Sequence, residues 1–177
     1  MIETERLILR RWRAEDLDRY ATMMADPEVT DWLGGGQTRA QAEAAIAGFE
    51  AQLEHLAMGT LAFERKSDRI LVGSGGLRPV REDIPLAPTV EAVWRLARSE
   101  WGRGYATEAA RALIADGFSR MELDEIVAFT AETNQRSRAV MERIGMARDR
   151  ARDFEHPKMS PGHPLRPHVV YVARSPR

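Results

Sequence analysis

Apolar and polar positions along the chain switch repeatedly between a two-residue and a 3.6-residue period. The run Arg6-Leu7-Ile8-Leu9-Arg10-Arg11-Trp12 predicts a first strand. Leu17, Tyr20, Ala21 and Met24 then recur at helical spacing, which predicts a helix ending before Pro27. Gly34-Gly35-Gly36 marks a loop. Thr38 with Gln41 three residues on forms a capping box, and Ala42, Ala45, Ile46, Phe49, Leu53 and Leu56 supply the apolar face of a second helix. Residues 58–64 and 70–77, joined by the polar turn Arg65-Lys66-Ser67-Asp68-Arg69, predict an antiparallel hairpin.

After a proline-containing loop over 79–88, residues 89–97 predict a strand that runs into Trp101-Gly102-Arg103-Gly104-Tyr105. The most regular helical stripe follows directly, on Ala106, Ala109, Ala110, Leu113, Ile114, Gly117, Phe118 and Met121. Ile126-Val127-Ala128-Phe129-Thr130 reads as a buried strand. Ser137, Val140, Met141 and Ile144 stripe a further helix that Gly145 closes from its C′ position. Residues 146–153 and 168–173 are the last predicted strands. The order β-α-α-β-β-β-α-β-α-β-β describes one α/β (α+β) domain over residues 1–177, built on a mixed sheet. No repeat, low-complexity segment or linker divides it.

Composition narrows the chemistry. The chain of 177 residues has a formal net charge of −1 and no cysteine. That excludes a disulfide scaffold, Cys-ligated zinc, an iron–sulfur cluster and thiol catalysis. A balance so close to neutral speaks against coating nucleic acid or an anionic membrane. No apolar run reaches the roughly 18 residues of a membrane span, and Met1-Ile2-Glu3-Thr4-Glu5-Arg6 carries acids where a signal peptide carries bases. The expectation is a cytoplasmic protein without nucleic-acid or membrane partners, working as a monomer or homodimer. Its basic residues are almost all Arg; only Lys66 and Lys158 are Lys. Codon bias accounts for most of that, while a few guanidinium groups suit bidentate contacts with phosphate.

Gly102 and Gly104 lie between a strand and a helix N-terminus. Convergent backbone N–H groups, the helix dipole and the missing Cβ atoms make such a turn suited to an anion, and Arg103 between the glycines can add a charge-assisted bond. An ordinary tight turn is the alternative. A P-loop needs a Gly-Lys-Ser/Thr ending, which is absent. A dinucleotide fingerprint needs a third glycine or alanine where Thr107 stands. Asp124 and Glu125 fall near the distance of a ribose acid, but the preceding elements are hairpin strands. The remaining reading is a pyrophosphate cradle for coenzyme A.

The segments Val90-Glu91-Ala92-Val93-Trp94-Arg95-Leu96 and Glu100-Trp101-Gly102-Arg103-Gly104-Tyr105-Ala106-Thr107-Glu108-Ala109 resemble the cofactor motif of the GNAT (Gcn5-related) N-acetyltransferases, and more narrowly their ribosomal-protein-alanine (Rim-type) branch. The opening Glu3-Thr4-Glu5-Arg6-Leu7-Ile8-Leu9-Arg10 and the stretch from Asn134 to Met146 are similar to that branch as well. The resemblance implies a mostly antiparallel central sheet flanked by helices, with splayed central strands that bind coenzyme A. It implies acetyl transfer from acetyl-CoA to a primary amine by direct attack through a tetrahedral intermediate. The acceptor is then a protein N-terminus, an amino acid or another small amine. The rival reading is a non-catalytic acyl-CoA-binding or regulatory protein with the same fold.

By the same resemblance, Leu96 and Ala97 pair with the pantetheine arm and the amides from Trp101 to Ala106, including Tyr105, hold the pyrophosphate. Asn134, Ser137 and Arg143 approach the cofactor from the next helix. The family's Gln or Arg three residues before the first glycine is Ser99 here, with Arg98 one residue off. An amine acceptor needs a base, and Glu91, an acid inside an apolar strand, is the candidate; the alternative is a structural pair with Arg95, four residues on and on the same strand face. A backbone N–H near Leu96 or Ala97 is the expected oxyanion donor. Many relatives carry a tyrosine where this chain has Met141, which the apolar stripe explains as core. Water, Ser137 or Tyr171 is left to protonate the departing thiolate. The loop before the last strand, with Glu155, His156 and His168, and Trp32 are expected on the acceptor side. No metal is expected, since the histidine spacing matches no ligand motif.

Overall fold

The computed structural model describes residues 1–176. The chain opens with β1 (Ile2–Glu3) and β2 (Leu7–Arg10), then α1 (Asp16–Ala25), the short α2 (Pro27–Thr30) and α3 (Arg39–Leu56). Three strands follow, β3 (Gly59–Arg65), β4 (Leu71–Pro79) and β5 (Val90–Leu96). The second half contains α4 (Tyr105–Ser119), β6 (Glu125–Ala131), α5 (Gln135–Arg143), β7 (Ala147–Arg148), β8 (Phe154–Glu155) and β9 (Pro167–Arg174). The Thr38 hydroxyl accepts from the Gln41 N–H while the Gln41 side chain accepts from the Thr38 N–H, so the expected capping box starts α3. Gly145 sits just past α5 at φ +85°, the left-handed position that ends the helix.

The strands form one sheet in the order β1-β2-β3-β4-β5-β6-β9-β7, with β8 also on β9. Neighbours are antiparallel except β5 and β6, which run parallel. Those two meet at one register pair, Glu91 with Val127. By contrast β5 follows β4 along its whole length, from Val90 opposite Pro79 to Leu96 opposite Gly73. The sheet is therefore split between β5 and β6, as the expected mixed architecture requires.

Helix α4 closes one face of the sheet across that split. Tyr105, Ala109 and Leu113 pack on Phe63, Val72, Leu77, Ala92, Leu96 and Ile126. Gly117 lets the helix sit close, because a Cβ there would come within 2.6 Å of both Leu77 and Ile126 side chains. On the opposite face, α1 and α3 bury Tyr20, Met24 and Ala42 with Trp12, Ala62 and Leu71. Under α1 lies a buried ionic cluster. The Arg10 guanidinium donates to Glu64 at 2.6 Å and to both carboxylate oxygens of Asp16 at 2.7 and 2.9 Å.

Residues 146–153 depart from the single strand expected for them. Only Ala147–Arg148 pair with β9, a 3₁₀ turn over Arg150–Arg152 follows, and β8 resumes on the same edge. Through the interruption, the Asp149 N–H donates to the Val170 carbonyl and the Asp153 carboxylate accepts the Val170 N–H. A side chain thus stands in for strand backbone, a local alternative that Asp is suited to provide.

Candidate active site

The split opens a groove of about 1700 Å³ that runs from the start of α4 to the loop before β9. Its first feature is the peptide edge of β5. The Ala97 N–H donates to the Val72 carbonyl at 2.9 Å. In an antiparallel pair the hydrogen-bonding direction alternates every residue, so Glu91, Val93 and Arg95 also turn their peptide groups toward β4, and Ala92, Trp94 and Leu96 turn theirs toward the split. Ala97 is therefore corrected as a main-chain donor to the groove: its N–H is already spent inside the sheet. The Leu96 carbonyl accepts from the Trp101 indole N–H at 3.0 Å. The Trp94 peptide and the Leu96 N–H lie beyond the Glu91–Val127 pair, where β6 has diverged.

The glycine turn is the second feature. Gly102 and Gly104 both have positive φ, +75° and +82°, and α4 starts at Gly104 without a side-chain cap. The N–H groups of residues 102–107 find no acceptor among the described residues. A Cβ on Gly102 would meet nothing within 4 Å, and one on Gly104 would meet only the Arg6 guanidinium. An uncapped helix N-terminus facing open space, backed by a cation, fits a pyrophosphate.

The cation is not the expected one. Arg103 is exposed, its guanidinium 3.7 Å from Glu100, and it does not line the groove. Arg98 bonds to Glu28 at 2.8 Å, lies over the Trp101 ring and is also turned away from the groove. Arg6, just before β2, supplies the guanidinium that lies against the turn and lines the groove. It bonds to Glu108 at 2.6 Å and to the Arg103 carbonyl at 2.9 Å, and its guanidinium lies 4.7 Å from the Tyr105 ring centre. Arg136, at the start of α5, lies over Trp101 at 4.2 Å. Neither was singled out from the sequence, because Arg6 meets Glu108 about a hundred residues away and nothing local announces the contact.

Of the other expected residues, Trp101, Tyr105, Ala106, Asn134, Ser137 and Arg143 line the groove on the α4–α5 side. The Asn134 side chain caps α5, accepting from the Ser137 N–H at 3.2 Å and donating to Thr130 at 2.9 Å. Met141 is 1% exposed, packed with Ala128, Met146, Val169 and Tyr171. Tyr171 is corrected as a proton donor. Its ring belongs to that same buried cluster, and its hydroxyl donates to Glu142 at 2.8 Å, away from the groove.

Glu91 lines the middle of the groove at 4% exposure. Its partner is Arg78 across the β4–β5 ladder, at 3.0 Å, and not Arg95. Four residues along a strand is about 13 Å at a rise of ~3.3 Å, so a cross-strand neighbour wins over one on the same strand. Burial pushes the Glu91 pKa up, and the Arg78 charge pulls it part of the way back. Beyond Glu91, the groove is walled by Trp32, Phe129, His156 and His168. The two imidazole rings lie 4.8 Å apart, and burial lowers the pKa of both. Glu155 is corrected as an acceptor-side residue: it is exposed on β8 and paired with Arg166 at 2.7 Å, outside the groove. Among the described residues no three His, Asp or Glu side chains converge as a metal site, and no helix is long and apolar enough to cross a membrane.

Comparison with known proteins bears on this geometry. Residues 6–147 match the family model for the acetyltransferase (GNAT) domain. The uncharacterized N-acetyltransferase p20 of Bacillus licheniformis is 29% identical over 159 residues, 88% of this chain and 87% of that protein. Among solved structures, an acetyltransferase from Agrobacterium tumefaciens superposes with a TM-score of 0.78 at 29% identity, covering 98% of this chain and 94% of its own. The ribosomal L7/L12 α-N-protein acetyltransferase RimL, solved in complex with coenzyme A, has a TM-score of 0.78 at 14% identity and shares the fold over 97% of this chain and 96% of its own. With its split sheet, uncapped glycine turn and matching domain, this chain belongs to the GNAT acetyltransferase family and is an acyltransferase enzyme.

Proposed function

We propose that the protein transfers an acetyl group from acetyl-CoA to a primary amine. The observation that carries this reading is the continuity of one groove past three features: the uncapped N-terminus of α4, the unpaired peptide edge of β5 and the buried carboxylate of Glu91. The N–H groups of residues 102–107 with Arg6 are the groups to hold a pyrophosphate. The peptides of Trp94 and Leu96 are the groups to hold an amide-bearing arm laid along β5, with Asn134, Ser137 and Arg143 facing it from α5. When bound, acetyl-CoA supplies an acyl group already activated as a thioester.

Glu91 accepts the proton that the amine must lose, directly or through water. Its raised pKa improves it as a base. The N–H of Trp94 or Leu96 is preorganised for the developing oxyanion, since neither is spent on β4. Ser137, half-buried on the groove wall, is the hydroxyl placed to return a proton to the leaving sulfur. The Rim-type likeness is carried mostly by residues 90–109 and 134–146, which form the donor half, so it speaks for the donor more than for the acceptor. The acceptors in view are a protein N-terminus, an amino acid or another small amine.

The test is thiol release from acetyl-CoA in the presence of a panel of primary amines. The chain itself has no cysteine, so every thiol detected comes from the cofactor. Turnover with at least one amine, together with thermal stabilisation by coenzyme A, is the expected result. Stabilisation without turnover on any amine points to a non-catalytic binder, and absence of both removes the reading.

A further inference from the structure

Arg95 stands apart among the charged groups of the acceptor half. Arg78 is paired with Glu91, and Arg81 with Asp83 at 2.8 Å. Arg95 lines the same groove, yet no carboxylate lies within ion-pair distance of it among the described residues. A guanidinium has five N–H donors. Its Nη1 donates to the thioether sulfur of Met24 at 3.4 Å, a weak acceptor, and the neutral Tyr20 hydroxyl is its other polar neighbour. The Tyr20 hydroxyl, fully buried on α1, has Arg95 as its polar neighbour and no carboxylate or carbonyl partner among the described residues. A cation part-buried on the groove wall and left without an anion is costly, and desolvation accordingly lowers the Arg95 pKa.

We infer that Arg95 anchors an anionic group of the acceptor, so that the preferred acceptor is a small primary amine that also carries a carboxylate or a phosphate-type group. This rests on the acetyl-transfer reading for its chemistry, but the anion site follows from the geometry alone. Glu91, Val93 and Arg95 share one face of β5, the face toward α1, where Arg95 meets Met24. The α4 helix and its glycine turn pack against the other face, at Ala92 and Leu96. Arg95 is therefore not one more contact of the pyrophosphate cradle. It lies on the acceptor side, on the same strand face as the base, with its anion partner missing.

The surroundings narrow the class. Arg78, Arg81 and Lys158 line the same groove; Glu91 pairs with Arg78, and Asp83 is shared by Arg81 and Lys158, so the cations outnumber the carboxylates. The groove also offers Phe129 and the imidazoles of His156 and His168. Such a chamber attracts an amine with a compensating negative charge and an apolar or aromatic body. It repels polyamines and other polycations by like-charge juxtaposition.

Charge-matched acceptors test this: phenylalanine against phenylalaninamide, O-phosphoethanolamine against ethanolamine, and spermidine as the polycation. The wild-type protein is expected to favour one anionic member over its match without the anionic group by about 10-fold or more in kcat/KM. The first pair reports a carboxylate and the second a phosphate. Arg95→Met is expected to lower kcat/KM for that anionic amine by about 10- to 100-fold, chiefly through KM, while the match without the anionic group changes less than threefold. Arg95→Lys should recover part of the loss. Preference for the amines without an anionic group or for spermidine, or an equal loss on both members of a pair, overturns the inference. Calorimetric binding of phenylalanine and of O-phosphoethanolamine to coenzyme A-loaded protein separates the two readings. Binding that Arg95→Met abolishes upholds the anion site even if no amine turns over, and binding of neither compound, or equal binding to the variant, refutes it.

Discussion

Exchanging Glu91 for Gln distinguishes a proton acceptor from a structural partner of Arg78, because the two roles move rate and stability differently. The side chain is 4% exposed, and burial raises its pKa. For an acid whose folded pKa lies above its unfolded value, the native state binds the proton more tightly. Ionised Glu91 therefore costs stability as pH rises through those values, and the cost is fully present above the folded pKa. Gln removes it. What Gln also removes is the ion pair, but the Arg78 side chain is 37% exposed, so that pair is screened and worth at most about 1 kcal/mol. For a domain of this size that is a fall of about 2–4 °C in melting temperature at most, opposed by relief of the buried charge. The expectation at pH 8 is a melting temperature unchanged or raised. If Glu91 is the base, the acetylation rate falls by about 10²- to 10⁴-fold, or ~3–5 kcal/mol in the barrier. The assay is steady-state thiol release across pH, paired with a thermal melt of the same preparation. In the wild type, rate is lost as pH falls through the raised pKa of Glu91. Arg78→Met removes the charge that lowers that pKa, so its acid limb moves to higher pH. A Gln variant with wild-type rate and pH profile but a lowered melting temperature refutes the base and leaves a structural pair.

Other expectations are independent of that carboxylate. Gly104→Glu places a side chain at φ +82° beside the Arg6 guanidinium and a negative charge at the mouth of the turn; coenzyme A affinity by calorimetry should drop by about 100-fold or more, and unchanged affinity would remove the cradle. Arg10→Met leaves Asp16 and Glu64, 3% and 0% exposed, without their shared partner. Arg13 and Arg69 also reach Glu64, at 3.0 and 2.6 Å; denaturant unfolding should show a loss of about 3–5 kcal/mol, and a loss under 1 kcal/mol would mean that these two suffice for Glu64. Met141→Ala opens a cavity in the cluster beneath α5 and should cost about 2–5 kcal/mol by the same measurement; a near-neutral change would show that the site collapses.

Local patterns were legible, and contacts across the chain were not. The α4 stripe, the Thr38–Gln41 box and the Gly145 terminator are written in neighbouring residues, and each lies where the period and the capping chemistry put it. The partner of Glu91 is not local. Arg78 becomes visible only with the β4–β5 register, which places it directly opposite, whereas Arg95 attracted attention by proximity in sequence. The same limit hid Arg6, whose role depends on Glu108 and the turn before α4. Tyr171 had the right chemistry on the right strand, but strand alternation sends its side chain into the Met141 cluster. The Ala97 N–H failed for a related reason: alternation commits it to Val72, and it is Trp94 and Leu96 that face the groove.

The single bridge between β5 and β6 has a mechanical meaning. With one register pair at Glu91 and Val127, the two half-sheets are held mainly by the side chains of α4 lying over both. Backbone hydrogen bonds couple them little. A molecule that fills the split and bonds to the free edge of β5 becomes part of the scaffold while it is being consumed. The amide protons of Trp94 and Leu96 then report its arrival and departure, exchanging with solvent when the split is open and protected while it is spanned. The sheet would be whole only during part of each turnover, and its stiffness would follow the supply of the donor.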